Sequence, residues 1–268
     1  MTKLNKDDKL NSFFSNLASD YDVFSRLSET CALQITKKIG ESISKNKVDS
    51  YLDIGAGTGF FDTLILNNYP NCSAILLDTS ASMLQEAQAL FRKYNMESRA
   101  VMILDDAYNL PFFDGYIKFA TMFFVFHLLS ESQNAINEVR RVLSKDGILM
   151  ILTYEPEDMQ LQIYHSMFPR FFKIDSERFF NAEKLTPLFE KGGFSVRERE
   201  KFHYQIEYPD VETVIKLVKT KPMSTLSFYN DDEFMLAVNT FEDRLRDKFG
   251  SGKVINESKL TLWELKAK

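Results

Sequence analysis

The chain has 268 residues, 44% of them hydrophobic and 26% charged, enough for one large domain or a domain with an appended cap. A net charge of −5, with lysines scattered among acids, argues against a nucleic-acid partner, and no apolar run approaches the roughly 20 residues of a membrane span. The N-terminal "MTKLNKDDKLNSFF" lacks the apolar core and cleavage site of a secretory signal, and Cys31 and Cys72 stand too far apart for a metal spacing. No metal is therefore expected, and free buried thiols in a cytoplasmic protein are the default reading.

Residues 10–45 read as helical, with apolar positions at Phe13, Phe14, Leu17, Tyr21, Leu33, Ile35 and Ile39. From about residue 48 strands and helices alternate: "VDSYLDI" a strand, "FFDTLILNNY" a helix, "CSAILLD" a strand, and "ASMLQEAQALFRKY" an amphipathic helix with Ser80 as N-cap. "SRAVMIL" and "YIKFATMFFVF" follow as strands, "SESQNAINEVRRVL" as a helix and "GILMILTY" as a strand. Near-continuous apolar strands spaced by helices predict βαβ units and a parallel sheet buried on both faces. Residues 155–180 are aromatic-rich and irregular. A helix at about 181–191 stops at Gly192-Gly193, "FSVREREKFHYQIE" reads as a strand, 209–250 as mostly helical with a break at Lys221-Pro222, and "KLTLWELKA" as a final strand. The expected architecture is one doubly wound sheet with a helical insertion between its last two strands.

"YLDIGAGTGFF" crowds three of the ten glycines into five positions behind a strand ending in Asp53. Open parallel sheets bind ligands beyond the carboxyl ends of their strands, and glycine there lets backbone N–H groups face a ligand. The pattern is D-x-G-x-G-x-G, with Phe60 where a dinucleotide fingerprint has its third glycine, which argues against a nicotinamide dehydrogenase. A tight strand-to-helix crossing alone would also use such glycines. Asp78 ends the second strand, about 20 residues on, placed either to accept ribose hydroxyls or to serve the next helix N-terminus, two compatible roles. Asp106, in "LDDAYNLPF", ends the third, facing an adenine amino group or serving as a solvated turn acid. Three acids at three successive strand ends favour a nucleoside ligand.

"YLDIGAGTGFF", "LLDTSASMLQEAQ", "DDAYNLPFFDGYI" and "RRVLSKDGILMIL" resemble, in order, the motifs of class I S-adenosylmethionine-dependent methyltransferases. The similar branch is the small-molecule one that includes the ubiquinone and menaquinone biosynthesis methyltransferases, and the likeness spans roughly residues 13–154. It implies an α/β, Rossmann-like doubly wound, mostly parallel sheet of about seven strands, the last antiparallel, with N-terminal helices and a helical lid. The corresponding divisions are a cap (1–45), a core (46–208 and 251–268) and a lid insertion (209–250). It further implies that Asp53, Gly55, Ala56, Gly57, Thr58 and Gly59 underlie the methionine portion of S-adenosyl-L-methionine. Asp78 would bind the ribose, Thr79 and Met83 would lie beside the adenine, Asp106 and Ala107 would flank its edge, and Phe123 would close the methionine pocket. Tyr21, in "ASDYD", would cover the cofactor. The sequence departs from the family at Lys118, usually Asp, and at Lys145-Asp146-Gly147, usually Pro-Gly-Gly; neither position should touch the cofactor.

Methyl transfer from a sulfonium needs alignment, desolvation and, for some acceptors, a base. His127, after the fourth strand, is the candidate base, with packing at the strand–helix junction as its structural alternative; His165 and His203 read as structural. Tyr154, Glu155, Phe168, Arg170 and Arg178 are candidate acceptor contacts, with Met223, Leu226 and Phe228 facing the acceptor from the lid; packing onto the sheet is the competing role for most of the aromatics. The expected activity is transfer of a methyl group to O, N or C of a small-molecule acceptor. The alternative of another class is a cofactor-binding regulatory protein without transfer activity. RNA or protein methylation fits less well, because "MFFVF" stands where an Asn-Pro-Pro-Tyr-like tetrad would follow the fourth strand.

Overall fold

The computed structural model describes residues 29–268, so Tyr21 and most of the expected N-terminal cap lie outside the described residues. The chain enters as α1 (Glu29–Lys45) and then alternates through β1 (Ser50–Ile54), α2 (Phe60–Asn68), β2 (Ser73–Asp78), α3 (Ala81–Lys93) and β3 (Ala100–Leu104). β4 (Ile117–Phe123), α4 (Ser132–Val142) and β5 (Leu143–Thr153) follow. Residues 155–180 fold into three short helices, α5 (Pro156–Met159), α6 (Ile163–Met167) and α7 (Phe171–Ser176), and α8 (Ala182–Lys191) leads into β6 (Phe194–Tyr208). The insertion comprises α9 (Val211–Lys219), a 3-10 turn (Ser224–Phe228) and α10 (Asp231–Phe249), before β7 (Val254–Ala267) closes the chain.

The seven strands form one sheet in the order β3-β2-β1-β4-β5-β7-β6, with β7 antiparallel to both neighbours and the others parallel. The expected doubly wound sheet with an antiparallel last strand is what the chain builds. Alternation along β5 shows why its run is apolar throughout. Ile148, Met150 and Leu152 point into the layer beneath α1, α2 and α3, with Ile35, Ile39, Ile65 and Phe91. Leu149 and Ile151 point into the opposite layer, with Ile136 and Val139 of α4, Phe189 of α8 and Trp263 of β7. A third core joins Ile163, Phe168 and Phe171 to the insertion through Val214, Val238 and Phe241.

Local signals set the boundaries. Ser80 caps α3 by accepting the Met83 N–H at 3.3 Å, and Asn230 and Glu233 form a reciprocal capping box on α10. Several expected boundaries move. β5 starts at Leu143, directly after α4, so Lys145-Asp146-Gly147 lies within the strand as an irregularity, with Asp146 at φ 67° and the register against β4 shifted between Ile117 and Phe119. β7 begins at Val254 because it pairs with β6 along the whole length of that long strand. β3 ends at Leu104, which puts Asp106 in the loop beyond the strand.

Candidate active site at the strand tips

Register brings the strand ends to one rim. Ile54 lies beside Leu77, Asp78 beside Leu104 and Phe123 beside Leu152, so the segments that leave these strands meet over a single edge. There they enclose a cavity of about 290 Å³. Asp53, Gly55, Ala56, Gly57, Thr58, Asp78, Thr79, Met83, Asp106, Ala107 and Phe123 all line it. The condition on which the nucleoside reading rests, that Asp78 and Asp106 share the rim of the glycine turn, is met.

The turn is anchored by the Gly55 and Ala56 N–H groups, which donate to Leu77 O at 2.7 and 3.0 Å. Gly57 (φ 57°) and Gly59 (φ 69°) are left-handed for different reasons. A Cβ on Gly57 would meet nothing within 4 Å, because that position borders open space. A Cβ on Gly59 would lie 2.8 Å from both Leu76 Cδ2 and Phe91 Cε2. Gly59 is absent from the cavity wall and serves as the N-cap of α2 packed on α3, so packing is the role its geometry shows. Gly57→Ala should therefore lose only the ~1–2 kcal/mol of left-handed strain. Gly59→Ala should lose that and a further ~1–3 kcal/mol of overpacking; urea unfolding of the two variants checks the order.

The acids hold the turn as well as line it. Asp78 Oδ2 accepts the Gly57 N–H and Oδ1 accepts the Ser80 N–H, both at 2.8 Å. Burial pushes the Asp78 carboxyl up, and these backbone donors offset part of that rise. Asp106 Oδ1 accepts the N–H groups of Tyr108 (2.7 Å) and Asn109 (3.1 Å), fixing the loop after β3. Asp53 is 1% exposed and accepts the Thr121 hydroxyl at 2.7 Å. Burial and the neighbouring Asp62 charge hold its carboxyl well above the usual range.

Sequence reasoning missed the aromatic part of the wall. Phe60 and Phe61 at the start of α2, with Phe124 beside Phe123, line the cavity, and Tyr108, Val125, Leu128 and Leu129 complete it on the side of the loops after β3 and β4. Phe61 lies 5.0 Å from Phe123 and 6.0 Å from Phe124, ring centre to ring centre, and Phe124 lies 5.5 Å from Tyr154. Phe124 takes φ 55°, a backbone state that a bulky side chain rarely adopts. The adjacent Phe60-Phe61 pair behind the glycines was the available signal.

The candidate catalytic and acceptor residues lie elsewhere. After Phe124 the chain turns into a 3-10 segment (Phe126–Leu128), and His127 stacks on Phe179 at 4.0 Å and 15°, off the cavity wall. Glu155 is fully buried and accepts the Arg199 Nε–H at 2.9 Å, with Lys201 at 3.4 Å, which makes it one half of an ion pair. Phe168 is packed into the third core. Arg170 pairs with Glu233 at 2.8 Å on the surface. Arg178 is buried, pairs with Asp175 at 3.0 Å and donates to Ser224 and Thr225, tying the segment after β5 to the insertion. Met223 and Leu226 belong to that same core, and Phe228 lies under the Arg178 guanidinium. Tyr154 packs against Phe124, but its hydroxyl is engaged with Tyr204 at 2.8 Å. His165 is buried against Asp175 at 3.0 Å, a structural place, as expected.

A strand order with an antiparallel seventh strand, and an acid-and-glycine cavity at the parallel strands' carboxyl ends, define the class I S-adenosylmethionine-dependent methyltransferase fold. Residues 52–147 match the methyltransferase domain family. The chain is 31% identical over 144 residues to the demethylmenaquinone methyltransferase of Thermotoga maritima, covering 53% of this chain and 60% of that protein. It is 24% identical over 233 residues to the ubiquinone/menaquinone biosynthesis C-methyltransferase UbiE of Dinoroseobacter shibae, covering 84% of this chain and 88% of the relative. Among solved structures, the [4+2]-cyclase SpnF superposes with a TM-score of 0.68 at 15% identity, over 98% of this chain and 97% of its own, a likeness of fold. The chain resembles the class I S-adenosylmethionine-dependent methyltransferases of the ubiquinone and menaquinone biosynthesis type. S-adenosyl-L-methionine is its cofactor, and no helix among the described residues is long and apolar enough to cross a membrane.

Proposed function

We propose that the cavity holds the cofactor with its adenosyl part between Asp78, Met83 and Asp106, and its amino-acid part over Asp53, Gly55 and Gly57. The half-buried Asp78 carboxylate spends one lone pair of each oxygen on backbone N–H groups, leaving its others for ribose hydroxyls. Ala107 and Thr79 flank the adenine, and Phe123 packs toward the reactive end. When bound, the cofactor supplies an electrophilic methyl on sulfur; the protein's residues hold it, exclude water and align the acceptor.

The acceptor is a small molecule with an apolar or aromatic body. The observation that carries this is the group of rings Phe61, Phe123 and Phe124 on the cavity wall, which offers faces for stacking and few polar groups. With His127 stacked on Phe179, alignment and desolvation carry the rate, and such alignment supplies up to about 7–11 kcal/mol. The insertion 209–250 and the segment 155–180 act as the cover on the acceptor side. They leave β6 and β5, whose carboxyl ends lie at the same edge of the sheet as the cavity. That placement supports the reading of 209–250 as a lid on the core.

Calorimetric titration with S-adenosylmethionine and S-adenosylhomocysteine, followed by transfer of a labelled methyl group to fractions of an apolar metabolite extract, tests the proposal. Binding of both ligands with label in small apolar products is expected. Absence of binding removes the cofactor site, and label confined to macromolecules removes the acceptor class.

A further inference from the structure

Behind the cavity floor stands a second carboxyl group that the sequence reading did not use. Asp62, on the first turn of α2, is fully buried, and its Oδ1 accepts the Tyr51 hydroxyl at 2.7 Å. Its Oδ2 is buried with no donor among the described residues, and the Asp62 carboxyl is close enough to that of Asp53, itself 1% exposed, for the two charges to act on each other. Two neighbouring carboxylates buried away from water repel each other, and one proton held between them relieves both the repulsion and the unpartnered Oδ2.

Among the described residues, the groups facing the pair from each neighbouring element supply no cation. Tyr51 of β1 and Thr121 of β4 donate neutral hydroxyls, Asp78 at the end of β2 adds a further negative charge, and Cys72 lies near Tyr51. Burial pushes the Asp62 carboxyl up to about 6 and Asp53 well above its ordinary value. Of the two, only Asp53 reaches the cavity wall.

We propose that Asp53 and Asp62 share one proton in the ligand-free protein and release it when the cationic ammonium of the cofactor's amino-acid end settles over Asp53, which makes Asp62 a positioning residue for cation recognition. The inference rests on the cofactor placement proposed above. The ammonium replaces the proton as counter-charge: the carboxyl O–H bond breaks, the pair gains one negative charge, and the proton leaves to solvent. Affinity for a cationic ligand should then rise with pH, by up to about tenfold per unit, until the pair is ionised without help, and level off above.

Proton release is counted by titrating the protein near pH 6 in two buffers of different ionisation heat, with two probes. S-adenosylhomocysteine carries the ammonium; 5′-methylthioadenosine carries the same base, ribose and thioether without it. The expected result is about one more proton released per S-adenosylhomocysteine than per 5′-methylthioadenosine, since any proton lost from Asp78 is common to both. In Asp62→Asn, whose side chain still accepts from Tyr51 and can donate to Asp53, S-adenosylhomocysteine should bind while the difference falls to near zero. Equal proton counts for the two probes on the unmodified protein overturn the shared proton and leave the cofactor site standing, whatever becomes of the variant. A difference that survives Asp62→Asn removes Asp62 from the role. Failure of both probes to bind removes the cofactor placement itself, and the inference with it.

Discussion

Asp78→Ala is expected to weaken S-adenosylhomocysteine binding roughly 10- to 150-fold, the largest effect of any single change at the cavity. A hydrogen bond to a charged acceptor contributes ~1.5–3 kcal/mol, and the ribose would lose at least one. The same carboxylate holds the Gly57 and Ser80 N–H groups at 2.8 Å, so its removal also loosens the glycine turn and the start of α3. Asp78→Asn separates the two contributions. Its amide oxygen still accepts one backbone N–H and a hydroxyl, but the charge is gone and the second backbone donor faces an NH₂ group. Affinity should fall between that of the parent and that of the alanine variant, with a smaller loss of thermal stability. Calorimetry and thermal melts on both variants supply the comparison. An affinity unchanged in Asp78→Ala would place the ribose away from this carboxylate and require a different orientation of the nucleoside.

What was legible in the sequence was short-range. Strand and helix alternation could be read because buried parallel strands must be apolar on both faces, as Ile148–Leu152 shows with residues divided between the two layers. The acids at the strand tips could be read because register in a parallel sheet aligns carboxyl ends, and Asp53, Asp78 and Asp106 needed only that alignment to reach one cavity. The acceptor candidates were illegible for a different reason. Glu155 is held by Arg199, 44 residues away, and Arg178 by Ser224, 46 residues away, and local spacing carries no trace of such pairs. A charged residue near an active-site rim looks available until its partner is known. His127 stacks on Phe179 shortly after Phe124, a bulky residue in a left-handed conformation that no propensity rule would put there. Asp62 sits on the first turn of α2, where the helix dipole favours any acid, and only packing shows it turned inward to the Tyr51 hydroxyl.

Arg199→Ala should be the most destabilising of the charge-removing substitutions, by about 3–5 kcal/mol, because it strands a carboxylate with no exposure to water. Arg199 grips Glu155 through both Nε and a terminal nitrogen, and its guanidinium also lies over the Trp263 ring at 5.3 Å. Lys201, at 3.4 Å, remains as a partial substitute and argues for the lower half of the range. Burial alone would raise the Glu155 carboxyl, but the bonds from Arg199, with Glu157 and Lys201 beside it, outweigh burial and hold it below its ordinary value. The folded protein therefore binds this proton less readily than the unfolded chain, so the pair's contribution is full above the unfolded value of about 4.3 and is lost as pH falls through the folded one. In Arg199→Ala the sign reverses: burial then dominates, Glu155 protonates more readily when folded, and acid relieves the strain. The stability gap between parent and variant should accordingly be widest at neutral pH and close as the solution is acidified toward pH ~4. Urea unfolding across that interval measures the closure, and the double variant Arg199→Met/Glu155→Gln should recover much of the loss at neutral pH, since no buried charge is left without a partner. A gap that stays constant with pH would mean that Arg199 acts through its packing on Trp263 and not through its charge.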